Sequence, residues 1–194
     1  MKFRLAILLL LALPLVVSAQ TDTILFFTGT TEAPAYPTEI YTTTPVEAVE
    51  IHLGLLDPSL SGISSWEASV DVEGMVIAPT WFVPGCGLIP ECGMPPFQIG
   101  LIVSDPLEPG QIYHLATFTA FIMSPTDVVR FSISPVPGSV SFPDSPGYAG
   151  PAPDYELAPM TTIAGNEPVP VFTINQQTVS EAPASWGSVK RLYR

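Results

Sequence analysis

Hydrophobic and polar residues alternate with period two along two segments of this chain. In residues 65–72 the apolar positions are Trp66, Ala68, Val70 and Val72, and the positions between them are polar or acidic. Residues 49–55 repeat the pattern with Val49, Ile51, Leu53 and Leu55. Successive side chains of a β-strand point to opposite faces, whereas a helix would scatter these residues around its circumference. Both segments are therefore predicted to be strands with one face in a core.

Further apolar runs predict additional strands. They cover residues 24–28, 75–82, 97–103, 112–123, 128–134 and 169–174, with shorter candidates at 139–142 and 161–164. Turn signals rich in proline and glycine separate them, such as Glu108-Pro109-Gly110. No amphipathic helical stretch lies between the runs, which favours antiparallel pairing over βαβ units. The predicted fold class is all-β, an antiparallel two-sheet β-sandwich of jelly-roll or immunoglobulin-like type.

Two proline-rich stretches interrupt this pattern. Residues 33–45 are rich in proline and threonine, and residues 143–159 combine prolines with two tyrosines. Both are predicted to be long connections or segments that cover a sheet edge, which would prevent edge-to-edge association. A polyproline recognition segment is the alternative for the second stretch.

The amino terminus has the pattern of a cleavable secretory signal peptide. Lys2 and Arg4 precede an apolar run over residues 5–17, and a small residue, Ala19, follows it. Cleavage is predicted between Ala19 and Gln20. The run is shorter than the roughly twenty residues that span a bilayer, which argues against the alternative of an uncleaved anchor. We expect an exported protein, in the periplasm, at the cell surface or outside the cell, with no membrane span after cleavage.

The charge distribution excludes some partners. The chain carries 18 Asp and Glu against 6 Lys and Arg, a formal net charge of −12. Arg130 is the only Lys or Arg between residues 20 and 175. So acidic a surface repels the phosphates that supply most nucleic-acid affinity, and it would also avoid anionic lipid. Neither nucleic acid nor a membrane surface is therefore an expected partner.

The carboxyl terminus reverses this charge. We expect a signal peptide over residues 1–19, one β-sandwich domain over 20–175, a polar linker over 176–183 and a basic tail over 184–194. The candidate recognition residues of the tail are Trp186, Gly187, Lys190, Arg191, Leu192, Tyr193 and Arg194. Two interpretations stay open, a frayed terminus and a recognition tail for secretion, sorting or surface attachment. From Ser185 the tail could form a short helix, but a helix of this length would not persist alone in water.

The two cysteines, Cys86 and Cys92, lie in a segment rich in glycine and proline. In an oxidising compartment, such a close pair predicts a disulfide that closes a small loop. A redox pair usually has two intervening residues, and a metal site would need further ligands nearby.

No motif predicts catalysis. His52 and His114 lie inside strand patterns, flanked by apolar residues, which indicates structural or surface positions. The chain has no nucleophile elbow, phosphate loop, dinucleotide fingerprint or zincin motif. Paired carboxylates could hydrolyse a glycoside, but no pair is distinguished from the others. We expect no enzyme, no cofactor and no metal.

Two ligand classes remain as alternatives. Asp71 with Glu73, or Asp144 with Asp154, could contribute oxygen ligands to calcium, although no EF-hand order is present; these two pairs are the calcium candidates. Trp81 and Phe82 are the candidate sugar contacts, because aromatic faces stack on sugars, whereas Trp66 is in register with core residues. Exposure of Trp81 with Phe82 would favour sugar binding, and their burial would favour protein docking.

Residues 61–70 and 109–120, together with the sandwich length, resemble cohesin-type domains of exported bacterial proteins. The resemblance covers residues 24–174 and implies a jelly-roll-like fold and protein–protein docking. No binding residues of that family match this chain, and no dockerin-type calcium loop is present. The tail resembles short Trp-Gly, Lys/Arg, Leu-Tyr-Arg endings of certain exported bacterial proteins.

The sequence thus predicts a non-catalytic exported structural or protein-interaction module of the bacterial envelope or medium. Its expected partner is another exported protein or a surface component. A carbohydrate-binding module is the first alternative, and a secreted hydrolase is the second.

Overall fold

The structure is a computed structural model that describes residues 21–84, 86, 93–100, 111–167 and 169–176. Thirteen β-strands lie in these described residues. They are β1 (Thr23–Gly29), β2 (Pro34–Ala35), β3 (Glu39–Ile40), β4 (Glu47–Leu56), β5 (Ser65–Glu73), β6 (Ile77–Phe82), β7 (Phe97–Gly100), β8 (Ile112–Ile122), β9 (Val129–Ser134), β10 (Gly147–Ala149), β11 (Leu157–Pro159), β12 (Thr161–Asn166) and β13 (Phe172–Ile174). The predicted signal peptide, its cleavage site and the tail lie outside the described residues. In the described ranges no helix is both long and apolar enough to cross a membrane.

Six strands form sheet 1, in the order β12-β1-β4-β8-β6, and β2 also pairs with β1. The long central strands β4 and β8 are antiparallel and pair from Glu47↔Ile122 to Leu56↔Ile112. The β1–β12 pair is parallel, with Thr23 opposite Thr161. Sheet 1 is therefore mixed, although most of its pairs are antiparallel.

Seven strands form sheet 2, in the order β11-β10-β5-β9-β13-β3, and β7 also pairs with β5. Trp66 of β5 is opposite Tyr148 of β10 and also opposite Ile99 of β7, so both edges of β5 are occupied at this point. The β13–β3 pair is parallel, with Thr173 opposite Glu39. The prediction of purely antiparallel pairing is thus wrong at two edge strands, whose partners lie far away in sequence.

The predicted inward faces are confirmed. Ile51, Leu53 and Leu55 of β4 are fully buried, and Trp66 of β5 is 2% exposed. These residues from both sheets belong to one apolar cluster. The chain is therefore an all-β protein with two sheets that share a core, consistent with a β-sandwich.

Aromatic side chains from both sheets interleave in this core. The ring centroid of Phe131 in sheet 2 lies 5.2 Å from that of Phe26 and 5.1 Å from that of Phe118, both in sheet 1. Trp81 of sheet 1 lies 4.9 Å from Phe118 and 5.3 Å from Phe97 of sheet 2, between centroids. Such edge and tilted contacts add to the free energy that burial supplies.

The structure corrects one predicted strand. Residues 139–142 form no strand, because their backbone groups are used in a local turn. The Ser139 N–H donates to the Val136 carbonyl, and the Phe142 N–H donates to the Ser139 hydroxyl. That hydroxyl in turn donates to Glu67 of β5, which ties the turn to sheet 2. The backbone N–H groups of Ser139 and Phe142 are therefore hydrogen-bonded within a turn rather than to a neighbouring strand.

Of the two predictions for the proline-rich stretches, the cover of a sheet edge fits the structure, since β3 and β11 are the end strands of sheet 2. Residues 33–45 contribute β2 and β3, and residues 143–159 contribute β10 and β11. Each of these strands is only two or three residues long. Proline lacks the N–H that a ladder needs, which keeps such strands short and near sheet edges.

The cysteine pair is described only in part. Cys86 is 7% exposed and belongs to the shared core. Cys92 lies outside the described residues, so the disulfide between them stays a prediction.

Candidate functional site

The candidate site lies on the face of sheet 1 that points away from the core. The strand registers place Phe27 opposite His52, His52 opposite Thr117, and Thr117 opposite Phe82, which makes one row across β1, β4, β8 and β6. The next two rows consist of Glu50, Thr119 and Thr80, and of Ala48, Phe121 and Ile77. Directly opposed side chains have their Cβ atoms about 4.5–5.5 Å apart, so these rows form one continuous surface.

A β-bulge in β8 brings a second histidine to this face. Leu53 pairs with Ala116 and Gly54 pairs with His114, so Leu115 is an extra residue in β8. His114 and Thr117 are three positions apart and would point to opposite faces of a regular strand. The bulge turns both of them outward, which is a common way to re-aim side chains.

The two histidines share the hydroxyl of Thr117. The Thr117 Oγ1 atom lies 3.0 Å from His52 Nδ1 and 2.8 Å from His114 Nε2. A hydroxyl has one proton, so it donates to one ring and accepts an N–H from the other. The imidazole centroids are 5.3 Å apart, and the Phe27 ring lies 5.0 Å from that of His52.

Packing beneath the histidines depends on a glycine. Leu25, Phe27 and Ile112 form a small second apolar cluster on this face. A Cβ atom at Gly54 would lie 2.6 Å from Ile112 Cδ1 and 2.9 Å from Phe27 Cε1. The absence of a side chain at Gly54 therefore permits these two residues to pack over β4.

The histidine pair has distinct electrostatics. Burial lowers the pKa of His114, and the nearby His52 lowers it further. A hydrogen bond with the backbone of Ala116 and the charge of the Glu50 carboxylate raise the pKa, but by less. His114 is thus neutral at neutral pH. The His52 Nε2 atom lies 3.6 Å from Glu50 Oε1, an ion pair that forms only when His52 is protonated.

A depression of about 290 Å³ opens beside these groups and is lined by Phe27, Glu50, His52 and His114, among others. A histidine and a carboxylate therefore converge at a depression, as the hydrolase alternative requires. The hydroxyl between the rings belongs to Thr117, which is 9% exposed and already bonded to both histidines. This cluster can orient hydrogen bonds, and the exposed Thr30 and Thr31 line the same depression.

The predicted sugar contacts lie on opposite faces of β6. Trp81 packs into the shared core against Phe118 and Phe97. Phe82 points the other way and is 66% exposed. Trp81 and Phe82 therefore form no common aromatic platform.

Phe82 belongs instead to an exposed apolar surface, which we call the outer-face patch. It is defined by Ile77, Thr80, Phe82, Thr119 and Phe121. The exposed fractions of Ile77, Phe82 and Phe121 are 44%, 66% and 43%. The hydroxyl oxygens of Thr80 and Thr119 lie 2.5 Å apart, so one hydroxyl donates a hydrogen bond to the other. The Glu50 carboxylate is 63% exposed beside this patch.

The acidic residues considered for calcium are exposed. Glu73 lies 4.0 Å from Arg130 on sheet 2, and Asp144 and Asp154 are both exposed. Within the described ranges, no group of three or more His, Cys, Asp or Glu side chains could hold a metal ion.

The link between His52 and His114 through Thr117 is not visible in the sequence. Period two does not indicate where a bulge inserts an extra residue, and only the pairing of β8 with β4 locates it. The tail residues 186–194 lie outside the described residues, and their recognition role stays a prediction.

Because the pKa of His114 is lowered, we expect the free energy of unfolding to fall as the pH is lowered from about 7.5 to about 5.5. Its folded pKa is below the unfolded value of 6.5, so below that pH the unfolded chain takes up a proton that the folded chain resists. The stability is lost as the pH falls towards the folded pKa and then levels off. The pKa values of Glu32 and Glu47 are lowered by backbone N–H hydrogen bonds, so these carboxyls titrate below this window.

The measurement is urea unfolding at a series of pH values for the wild type and for His114→Gln. We expect the slope between these pH values to be smaller in His114→Gln. Equal slopes in the two proteins would contradict the assignment to His114.

No protein-family model and no curated protein sequence matches this chain.

Proposed function

We propose that this chain is an exported, non-catalytic protein-interaction module of the bacterial envelope or medium that binds its partner on the outer-face patch. The observation that carries the proposal is the exposure of Ile77, Phe82 and Phe121 on neighbouring strands of one face. Soluble proteins rarely leave contiguous apolar patches in water unless the patch is used for binding. Exposed aromatic rings are also the typical anchors of protein interfaces.

The chemistry of the patch favours a basic segment with apolar side chains as the partner. Glu50 lies beside the patch with its carboxylate largely exposed. Arg130, the only Lys or Arg between residues 20 and 175, lies 4.0 Å from Glu73 on the other sheet. A Lys or Arg that pairs with Glu50 therefore comes from outside this segment. Complementary charge would speed association and select the partner.

The resemblance to cohesin-type domains supports the same function at the level of fold. A two-sheet all-β protein with a partly apolar outer face suits docking of another polypeptide. We propose the cohesin-like or jelly-roll-like assignment on this basis, together with export through the predicted signal peptide.

Sugar binding is the competing function, and it has less support. The exposed rings of the patch, Phe82 and Phe121, lie two rows apart, with Thr80 and Thr119 in the row between them. Stacking on a sugar gains from several coplanar rings and free polar groups, whereas Trp81 is turned into the core.

We expect Phe82→Ser and Phe121→Ser each to weaken partner binding by about tenfold or more, as loss of an aromatic anchor does. The exported fraction of the native host is passed over the immobilised protein, which lacks only residues 1–19, and the retained polypeptide is quantified. Val140→Ser is the matched control, because Val140 is 95% exposed and lies in the turn tied to sheet 2.

The decisive result is the loss of binding in both patch variants with retention in the control. Equal retention by all the variants would overturn the proposal. A glycan array gives the other outcome: a glycan bound by the wild type and lost in Phe82→Ser would assign sugar binding instead.

A further inference from the structure

We infer that the basic tail, residues 184–194, docks on the outer-face patch of its own chain and covers it until an external partner displaces it. This inference rests on the proposed function, because it takes the patch to be a docking surface. Three observations carry it: where the chain leaves the described fold, how far the linker reaches, and where the chain's cations lie.

The chain leaves the fold beside the patch. Asn175, directly after β13, is 2% exposed and is fixed by hydrogen bonds. Its Oδ1 atom accepts from the Thr42 N–H at 2.7 Å, and its Nδ2 donates to the Asp127 carbonyl at 3.1 Å. The turn formed by Ser124 and Asp127 follows the end of β8 that carries Phe121. The linker therefore starts next to the Phe121 end of the patch.

The linker is long enough to place the tail there. Residues 176–183 reach about 26 Å when extended. Along β8, the distance from Phe121 to the row that contains Phe82 is about 14 Å, at the rise of an antiparallel strand. The tail can therefore cover the whole patch without any change in the fold.

The tail also has the composition that the patch requires. Trp186, Val189, Leu192 and Tyr193 supply apolar groups, and they alternate with Lys190, Arg191 and Arg194. Apart from Arg130, which faces Glu73, these three are the only Lys and Arg residues after residue 20. The tail is thus the only segment of the chain beyond residue 20 that offers both a Lys or Arg for Glu50 and apolar cover for the exposed rings.

Attachment to the same chain favours this docking. A short flexible linker gives the tail an effective concentration in the millimolar range at the patch. Even weak contacts would then keep the patch covered. A partner must compete with the tail, so the tail sets a threshold for binding.

The test uses the protein that lacks only residues 1–19, with a photoreactive phenylalanine analogue at position 82. After illumination of a dilute sample, we expect an adduct at the mass of the monomer that joins position 82 to residues 184–194. The same analogue at position 140 is the control and should give no such adduct. A variant with Lys190→Gln, Arg191→Gln and Arg194→Gln together should lower the yield by up to about fivefold, the effect of losing an exposed ion pair to Glu50.

The outcomes separate this inference from the proposed function. No tail adduct at position 82, or equal adducts at positions 82 and 140, would overturn docking of the tail. Adducts only at the mass of a dimer, rising with concentration, would assign the patch to the tail of a second copy and would also overturn docking within one chain.

The variant with Lys190→Gln, Arg191→Gln and Arg194→Gln then tests the proposed function separately from the docking of the tail. If the tail covers the patch, this variant should retain more external partner than the wild type. If it retains partner that Phe82→Ser loses while no tail adduct forms, only the tail inference fails. If a tail adduct forms but Phe82→Ser leaves partner retention unchanged, the proposed function fails.

Discussion

Replacing Phe131 with alanine is expected to lower the free energy of unfolding by about 3–5 kcal/mol. Phe131 is fully buried, and its ring contacts Phe26 and Phe118 of sheet 1 and Phe172 of its own sheet. Removal of the ring leaves a cavity between the sheets that these neighbours cannot fill without moving. The loss would consume much of the stability of a typical domain, which is about 5–15 kcal/mol.

Urea unfolding, followed by far-ultraviolet circular dichroism, measures this effect. Phe82→Ala is the matched control, because it removes the same atoms from a ring that is 66% exposed. If Phe131→Ala does not fold, Phe131→Leu should still fold with a smaller loss. A loss from Phe131→Ala no larger than that from Phe82→Ala would contradict the described core.

Tyr148→Phe is expected to lower the free energy of unfolding by about 1.5–3 kcal/mol, because it removes the hydrogen bond that the buried Tyr148 side chain donates to the Asp22 carboxylate. The Tyr148 hydroxyl donates to Asp22 Oδ1 at 2.6 Å and accepts from the Ser59 and Leu60 N–H groups at 3.0 and 3.1 Å. Burial raises the pKa of Tyr148, and the bond to Asp22 raises it further, so the hydroxyl keeps its proton as a donor.

Thermal or urea unfolding of Tyr148→Phe and of Tyr155→Phe separates this effect from a general one. Tyr155 is 57% exposed, and the loss of its hydroxyl should change stability by less than about 0.5 kcal/mol. Equal stability of the two variants would show that the Tyr148 network is not stabilising. Asp22 lies at the start of β1, so the network also fixes the first residues of the described fold to β10.

The core and the outer face of sheet 1 are coupled through β6. Trp81 anchors this strand against Phe118 and Phe97, and the next residue, Phe82, is therefore held outward. Ordering an exposed ring in advance reduces the entropy that binding would otherwise cost. In the proposed function, the packing that turns Trp81 into the core also directs Phe82 outward as an anchor for a partner.

Local pattern was sufficient for the long strands. In β4 and β5, the alternation of apolar and polar residues named the faces correctly, because a buried face requires an apolar residue at every second position. The proline-rich stretches were harder, since proline composition argues against strands in general but not against two-residue pairs at an edge. The turn at residues 139–142 was not predicted, because a short apolar run does not show that local hydrogen bonds to Val136 and Ser139 replace strand pairing.

The candidate site shows the same division. The sequence alone singled out Trp81 and Phe82 as adjacent rings and His52 and His114 as histidines within strands. It could not assign Phe82 to a face together with Phe121, because that neighbourhood depends on the register between β6 and β8. It could not place His52 next to His114 either, because Leu115 is recognised as the extra residue of a bulge only when β8 is paired with β4.

The sequence by itself determined the long strands β4, β5 and β8, the buried side of β4 and β5, and the acidic character of residues 20–175, where Arg130 is the only Lys or Arg. These properties follow from the residue types and their spacing along the chain. Tertiary structure decided the strand order, the two parallel edge pairs, the bulge that joins the histidines at Thr117, and the outer-face patch. Each of these depends on hydrogen bonding between strands that are distant in sequence, and such pairing is settled only when the two sheets close over their shared core.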